Sequence, residues 1–338
     1  MRKVSSAAGV LAVVVAAGVT AGGCGQIGML KGKMAFKEAN TLYAAQNYAG
    51  AARKYEEAVA QGCTDTGCNP SELAYSYFYL GSSYENMFRP GKDEAQNKEY
   101  LTKAVGYYQK ASEVSPDEVY KKRALQYMVG VHGPEKLNDP NAAEPIVRKL
   151  IEMDPSDTGN YFQMAKLYED AGNFEQAEAQ FLKAREIKPD DSDVYLHLAG
   201  FYDKRGNFDK QMEALTTRAQ KNPDNPEAQH LIGSVYWNKA CTPSRPQCAA
   251  NAPATDAVRA KYIQAGLEAE NRALQLRGDY IEALVFKGLL LRSQAHLEKN
   301  AQRQKELLNE AVSLTDKVAE IRKRQAAQPA PPKKTEEE

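Results

Sequence analysis

The chain has 338 residues, with 44 Lys and Arg against 44 Asp and Glu, 43% hydrophobic residues and five cysteines. A formal charge of zero lacks the basic excess with which nucleic-acid binders neutralise phosphates, so no nucleic-acid partner is expected. No second long apolar run follows the N-terminus, which excludes a protein that crosses a membrane many times.

The first predicted element is a signal. Arg2 and Lys3 form a basic start, the stretch from Ala7 to Val19 is almost wholly apolar, and Ala21, Gly22 and Gly23 precede Cys24. A charged start, an apolar stretch and a small-residue cleavage site make a secretory signal, here residues 1–23. The segment Ala21-Gly22-Gly23-Cys24 resembles the lipobox of bacterial lipoproteins, with Ala21 where that family prefers Leu. The resemblance implies that Cys24 is lipidated and becomes the first mature residue, with residues 24–32 as a linker. Cleavage without lipid and an uncleaved helical anchor are the competing readings. One acyl chain holds a protein only marginally; lipoproteins of this type carry two or three. Gly25 after the cysteine, in place of the Asp that commonly retains such proteins in the inner membrane, implies the outer membrane, with the body facing the periplasm. Loss of Arg2 and Lys3 leaves the mature chain with two net negative charges.

Four cysteines remain, in two local pairs: Cys63 with Cys68, and Cys241 with Cys248. Export to an oxidising compartment makes each pair a candidate disulfide. Such short loops stabilise by only roughly 2–2.5 kcal/mol each, enough to staple a loop. A redox motif or a zinc site competes, but neither spacing is C-x-x-C and no histidine stands near either pair.

From residue 33 to 325 the sequence is periodic. A first unit carries Ala39, Leu42, Tyr48, Ala51, Tyr55 and Ala58. A second opens with Gly81 and Tyr84, is interrupted around Pro90-Gly91, and closes with Ala104, Tyr108, Ala111 and Pro116. A third is degenerate, with Ala143, Val147, Leu150 and Pro155 marking its second helix. The pattern is clearest next: a unit with Ala165, Tyr168, Gly172, Phe174, Ala177, Phe181, Ala184 and Pro189 is followed 34 residues later by Ala199, Tyr202, Gly206, Phe208, Leu215 and Pro223. Gly233 and Tyr236 open a sixth unit, broken by the insertion that carries Cys241 and Cys248. A seventh begins near Tyr280 with Gly288 and Leu291 and leads into a last amphipathic helix. Residues 326–338, rich in Pro and then in charge, read as a disordered tail.

A 34-residue helix–turn–helix period resembles the tetratricopeptide repeat (TPR). The small residues permit close helix approach, Gly172 and Gly206 end the first helix in the left-handed conformation, and Pro189 and Pro223 stop the second. The resemblance implies an all-α, right-handed α-solenoid of about seven helix pairs, whose first (A) helices line a groove that takes an extended peptide or partner helix. Projecting that register places Phe36, Asn40 and Tyr43 on the groove. Tyr75, Phe78, Ser82 and Glu85 follow, then Tyr120 and Tyr127, then Phe162, Lys166 and Glu169. Leu196 and Asp203, and finally His230, Ser234 and Trp237, complete the set. Twelve of the nineteen tyrosines fall between Tyr43 and Tyr127, so aromatic surface concentrates in the first three units. Tyr84, Tyr108, Tyr168 and Tyr202 are expected between repeats. The carboxylate clamp of some TPRs is absent: Asn40 occupies one clamp-like position, but Phe36 replaces the lysine and Ser82 the second asparagine.

Enzyme readings find little support. His132, His197, His230 and His296 are scattered and form no H-E-x-x-H. Residues 28–33 are one short of a phosphate loop, and Met34 stands where Ser or Thr is needed. No cofactor, metal or small-molecule substrate is expected. The expectation is a non-catalytic, lipid-anchored scaffold that binds envelope proteins, similar in architecture to the TPR lipoproteins of pilus and β-barrel assembly machines. The alternative is an accessory subunit of polysaccharide export or cell-wall synthesis.

Overall fold

Helix starts follow the capping chemistry written into the turns. The computed structural model describes residues 20–62, 69–92, 94–240 and 255–327, with backbone only for residues 20–27, 29 and 62. Among them lie fourteen α-helices and no strand. The helices fall into seven pairs: α1 (Thr20–Ala44) with α2 (Tyr48–Gly62), α3 (Pro70–Met87) with α4 (Glu94–Val114), and α5 (Glu118–Val131) with α6 (Pro140–Met153). Then come α7 (Thr158–Asp170) with α8 (Phe174–Ile187), and α9 (Ser192–Lys204) with α10 (Phe208–Lys221). The last are α11 (Pro226–Ala240) with α12 (Asp256–Leu276), and α13 (Ile281–Leu297) with α14 (Ala301–Ala327). The chain forms two compact units, Met1–Gln180 and Phe181–Glu338.

Asn69, Asp117, Asp157 and Asp191 each accept a hydrogen bond from a first-turn N–H of the helix they precede, satisfying a donor that has no partner within the helix. The turns inside pairs share one closure. In α7, Asn173 N donates to Tyr168 O and Gly172 N to Glu169 O; after α9, Asn207 donates to Tyr202 and Gly206 to Asp203. This is a Schellman closure, and Gly172 and Gly206 hold the positive φ of 76° and 66° that it requires. The first pair closes identically through Asn47 to Leu42 and Gln46 to Tyr43, but there Gln46 takes the left-handed position at φ 59°.

Small residues set the helix separation. Ala39, Ala51, Ala104, Ala111, Ala165, Ala177, Ala184, Ala273 and Ala311 have no exposed surface. Gly81 of α3 lies so close to α4 that a Cβ would come within 3.0 Å of the Tyr108 ring and 3.1 Å of Ala104 O. Tyr84, Tyr108 and Tyr202 are buried and Tyr168 half-buried, as expected of inter-repeat rings.

Residues 24–32, expected as a linker, are instead helical: α1 runs without a break from Thr20. The register of α1 places Gly32, Ala35 and Ala39 on its buried side. The last helix likewise extends to Ala327, two residues past the expected boundary. Most of the expected signal, the side chain of Cys24, the pairs Cys63–Cys68 and Cys241–Cys248, and the tail from residue 328 lie outside the described residues. Among the described residues no helix is long and apolar enough to cross a membrane.

Candidate partner-binding faces

In the first unit the A helices α1, α3 and α5 share a floor of packed rings. Phe78, Tyr108 and Tyr120 are buried in it, with Phe78 centred 5.3 Å from Tyr108 and 5.2 Å from Tyr120. Above that floor stand rings that are partly open to solvent. Tyr75 is 37% exposed and meets Tyr120 edge-on at 4.4 Å; Tyr127 is 42% exposed and leans on Phe78 at 5.0 Å. Half-buried Tyr43 packs against Tyr79 at 5.2 Å and Tyr48 at 5.4 Å. Perpendicular and tilted contacts of this kind are the favoured aromatic geometry, so the exposed rings are held in place before any partner arrives.

Each buried hydroxyl needs an acceptor, and the acceptors lie on the same helices. Tyr55 donates to Asn40 Oδ1 at 2.6 Å, and Tyr43 shares a 2.7 Å hydrogen bond with Ser82. Tyr108 donates to Glu85 Oε2 at 2.5 Å, while Lys136 holds the other carboxylate oxygen at 2.5 Å. Burial pushes the phenols of Tyr55, Tyr108 and Tyr120 up from their ordinary range, so they remain donors at physiological pH. A separate pocket of about 360 Å³ opens beside the α3–α4 turn, where buried Asn97 ties down the backbone of Arg89 and Lys92.

Further along the first unit, Phe162 is half-buried and Lys166 exposed, the latter hydrogen-bonded to Asp170. His132 is buried, and that burial lowers its pKa.

The second unit presents a smaller aromatic group on α11 and α13. Half-buried Trp237 meets Phe286 edge-on at 5.2 Å, and Phe286 meets His230 at 5.0 Å. Beneath them His230 Nδ1 contacts both oxygens of Glu270 on α12. Leu196 and Ser234 are half-buried and Asp203 is exposed, its carboxylate accepting from Gln211 at 3.0 Å.

Of the residues expected on the groove, Asn40, Tyr75, Tyr127 and Lys166 are exposed, and Phe36, Tyr43, Phe162 and Trp237 are half-buried. Four expectations are corrected: Phe78, Ser82, Tyr120 and His230 are 5%, 4%, 7% and 8% exposed and belong to the interior. They occupy groove positions in an ideal register, but the bulky rings of neighbouring pairs lean over them. Sequence reasoning missed Tyr79, which bridges Tyr43 and Tyr55, and Phe286, which bridges Trp237 and His230. The one-turn spacing from Tyr75 could have flagged Tyr79. Nothing in the sequence around Glu270 marks it as buried. Among the described residues no group of three or more His, Cys, Asp or Glu is placed to hold a metal.

Residues 136–195 match the tetratricopeptide repeat family model. The sequence matches no curated protein. Among solved structures, the C-terminal part of a TPR repeat-containing protein from Cytophaga hutchinsonii is 13% identical, with 85% of this chain and 98% of that one covered at a TM-score of 0.54. A tetratricopeptide repeat protein from Parabacteroides merdae is 12% identical, covering 84% and 99% at 0.44. YrrB, described as a TPR protein with an unusual peptide-binding site, is 22% identical, covering 58% and 89% at 0.38. The helix pairs, their glycine closures, the family-model match and the likeness to the Cytophaga hutchinsonii structure make the fold an all-α solenoid of tetratricopeptide type.

Proposed function

We propose that this protein is a non-catalytic scaffold that binds segments of other proteins on the A-helix faces of its solenoid, above all on the tyrosine face of α1, α3 and α5. One observation carries the reading: Tyr75 and Tyr127 stand exposed but are fixed by a buried aromatic floor. Tyrosine buries much area with few rotatable bonds, and rings already pinned lose little entropy on binding. Such a face suits an apolar or aromatic partner segment, since its exposed groups are tyrosine rings and Glu85 beneath them is already engaged by Tyr108 and Lys136.

The reading extends to location through the sequence. A basic start, an apolar stretch and Ala21-Gly22-Gly23-Cys24 support export and lipidation at Cys24, with attachment to the outer membrane from the periplasmic side. Disulfides Cys63–Cys68 and Cys241–Cys248 fit that compartment. The partners would then be envelope proteins, and the role would be assembly of an outer-membrane or pilus-type machine.

Crosslinking from native membranes tests both parts. Wild type is expected to capture a reproducible set of envelope proteins, Tyr75→Ala with Tyr127→Ala to lose it, and Cys24→Ala to leave the membrane fraction. Capture unaffected by the tyrosine pair would sink the binding face. Unchanged fractionation of Cys24→Ala would sink the anchor.

A further inference from the structure

Helix α12 carries a carboxylate into the interior of the second unit. Glu270 is fully buried, and His230 Nδ1 lies 3.0 Å from its Oε1 and 3.1 Å from its Oε2. Gly233, one turn beyond His230, makes the room: a Cβ there would stand 2.4 Å from Oε1. The imidazole is walled by Tyr280 at 5.4 Å and Phe286 at 5.0 Å, and Phe286 passes the contact to Trp237.

The charged groups around the pair are already committed elsewhere. On α11, Glu227 pairs with Arg218 at 3.3 Å; before α13, Arg277 lies over the Tyr280 ring at 3.8 Å. On α13, Lys287 pairs with Glu310 at 3.1 Å, and Glu282 acts on the Tyr280 phenol, itself raised by burial. The His230–Glu270 pair therefore balances its own charge. With one proton shared it is neutral overall, whichever residue carries it. Without that proton an ionised carboxylate faces a neutral imidazole in an apolar interior, a state that burial strongly disfavours.

We propose that the pair is a proton-operated latch: with its proton bound it fixes Phe286 and Trp237, and loss of the proton frees them, making partner binding at this face of the second unit pH-dependent. The proposal rests on the A-helix face being a binding surface. Burial pushes Glu270 up to about 7, with the His230 hydrogen bond opposing it, so the latch works near neutrality.

Trp237 is the single tryptophan, so its emission reports this face alone. The full chain is titrated from pH 5.5 to 9 with emission and far-ultraviolet circular dichroism read in parallel. Wild type is expected to show a one-proton emission transition centred near neutral pH with helix content unchanged. Glu270→Gln is expected to abolish the transition and hold the low-pH spectrum. Phe286→Leu, which removes the ring that links His230 to Trp237, is expected to lose the emission change while the Glu270 carboxyl still titrates by NMR. Flat wild-type emission, or a transition that survives in Glu270→Gln, overturns the latch. The transition needs no partner, so failed partner capture leaves it standing. Capture by this face at equal strength on both sides of an intact transition overturns the link to binding.

Discussion

The two units solve the same packing problem with different side chains. The first packs its interior with Tyr55, Phe78, Tyr84, Tyr108 and Tyr120, whereas the cluster of α11 to α14 in the second uses Ile263, Leu267, Leu290, Leu291 and Leu307. A tyrosine core brings hydroxyls inside, and each must find an acceptor or forfeit the desolvation cost of a polar group. Asn40, Glu56 and Glu85 supply them. The polarity of the first unit's A-helix face is thus set by what its core requires. The aliphatic cluster of α11 to α14 makes no such demand, and the buried carboxylate of α12 is met there by His230. The buried phenols of the first interior, protonated at neutral pH even at their ordinary value, are pushed higher still by burial. The second holds a group that titrates near neutrality.

The sharpest way to break this contrast is to remove a ring from the first core. Tyr108→Ala is expected to cost about 3–5 kcal/mol, since the ring is fully buried and its loss also takes the donor from Glu85 Oε2. Urea denaturation read by circular dichroism measures it, and a cost below about 1 kcal/mol would show that the tyrosines are not the core.

The pH dependence separates the units next. The native fold keeps Glu270 protonated up to about 7, whereas the unfolded chain releases that proton near 4.5. The native state binds the extra proton between those values, so this contribution is complete below the lower one. It is lost as pH rises through the upper. A shift of that size corresponds to roughly 3 kcal/mol at most. Melting followed by Trp237 should therefore show wild type losing stability from pH 5 to 8 relative to Glu270→Gln, with the same substitution leaving a first-unit probe unmoved.

Gly233→Ala and Gly81→Ala compare one repeat position in the two settings. The added methyl meets Glu270 at 2.4 Å in the second unit and the Tyr108 ring at 3.0 Å in the first. Overpacking costs about 1–3 kcal/mol, and Gly233→Ala is expected at the upper end because it also displaces a buried carboxylate. Equal costs in denaturant titration would dissolve the distinction.

The smallest effect tests the turns. Gln46 occupies the left-handed position that Gly172 and Gly206 fill elsewhere. Gln46→Gly should stabilise the first unit by about 1 kcal/mol, and Gly206→Ala should destabilise the second by a similar amount. Both are readable as shifts in denaturation midpoint.

Much of this was legible in the residues. The 34-residue recurrence of Ala165 and Gly172 as Ala199 and Gly206 marks helix pairs because close approach and left-handed closure admit few side chains, and the structure places them so. The face was legible in part. Tyr75 and Tyr127 stand open, but Phe78 and Tyr120, equally aromatic and in the same helices, do not. Helix α3 carries rings on several sides, at Tyr75, Tyr77, Phe78, Tyr79 and Tyr84, so periodicity cannot rank their depth. That ranking depends on how far α4 and α5 lean across α3.

By itself, then, the sequence determined the helix pairs, their turns and their close-packed alanines, because those follow from local conformation and one repeating spacing. Only the tertiary structure decided which aromatic rings remain open and that Glu270 lies inside. Along the chain Glu270 is one acidic residue among the polar residues of a helix. It becomes the one buried carboxylate among the described residues only because Gly233 and His230, 37 and 40 residues earlier, fold over it.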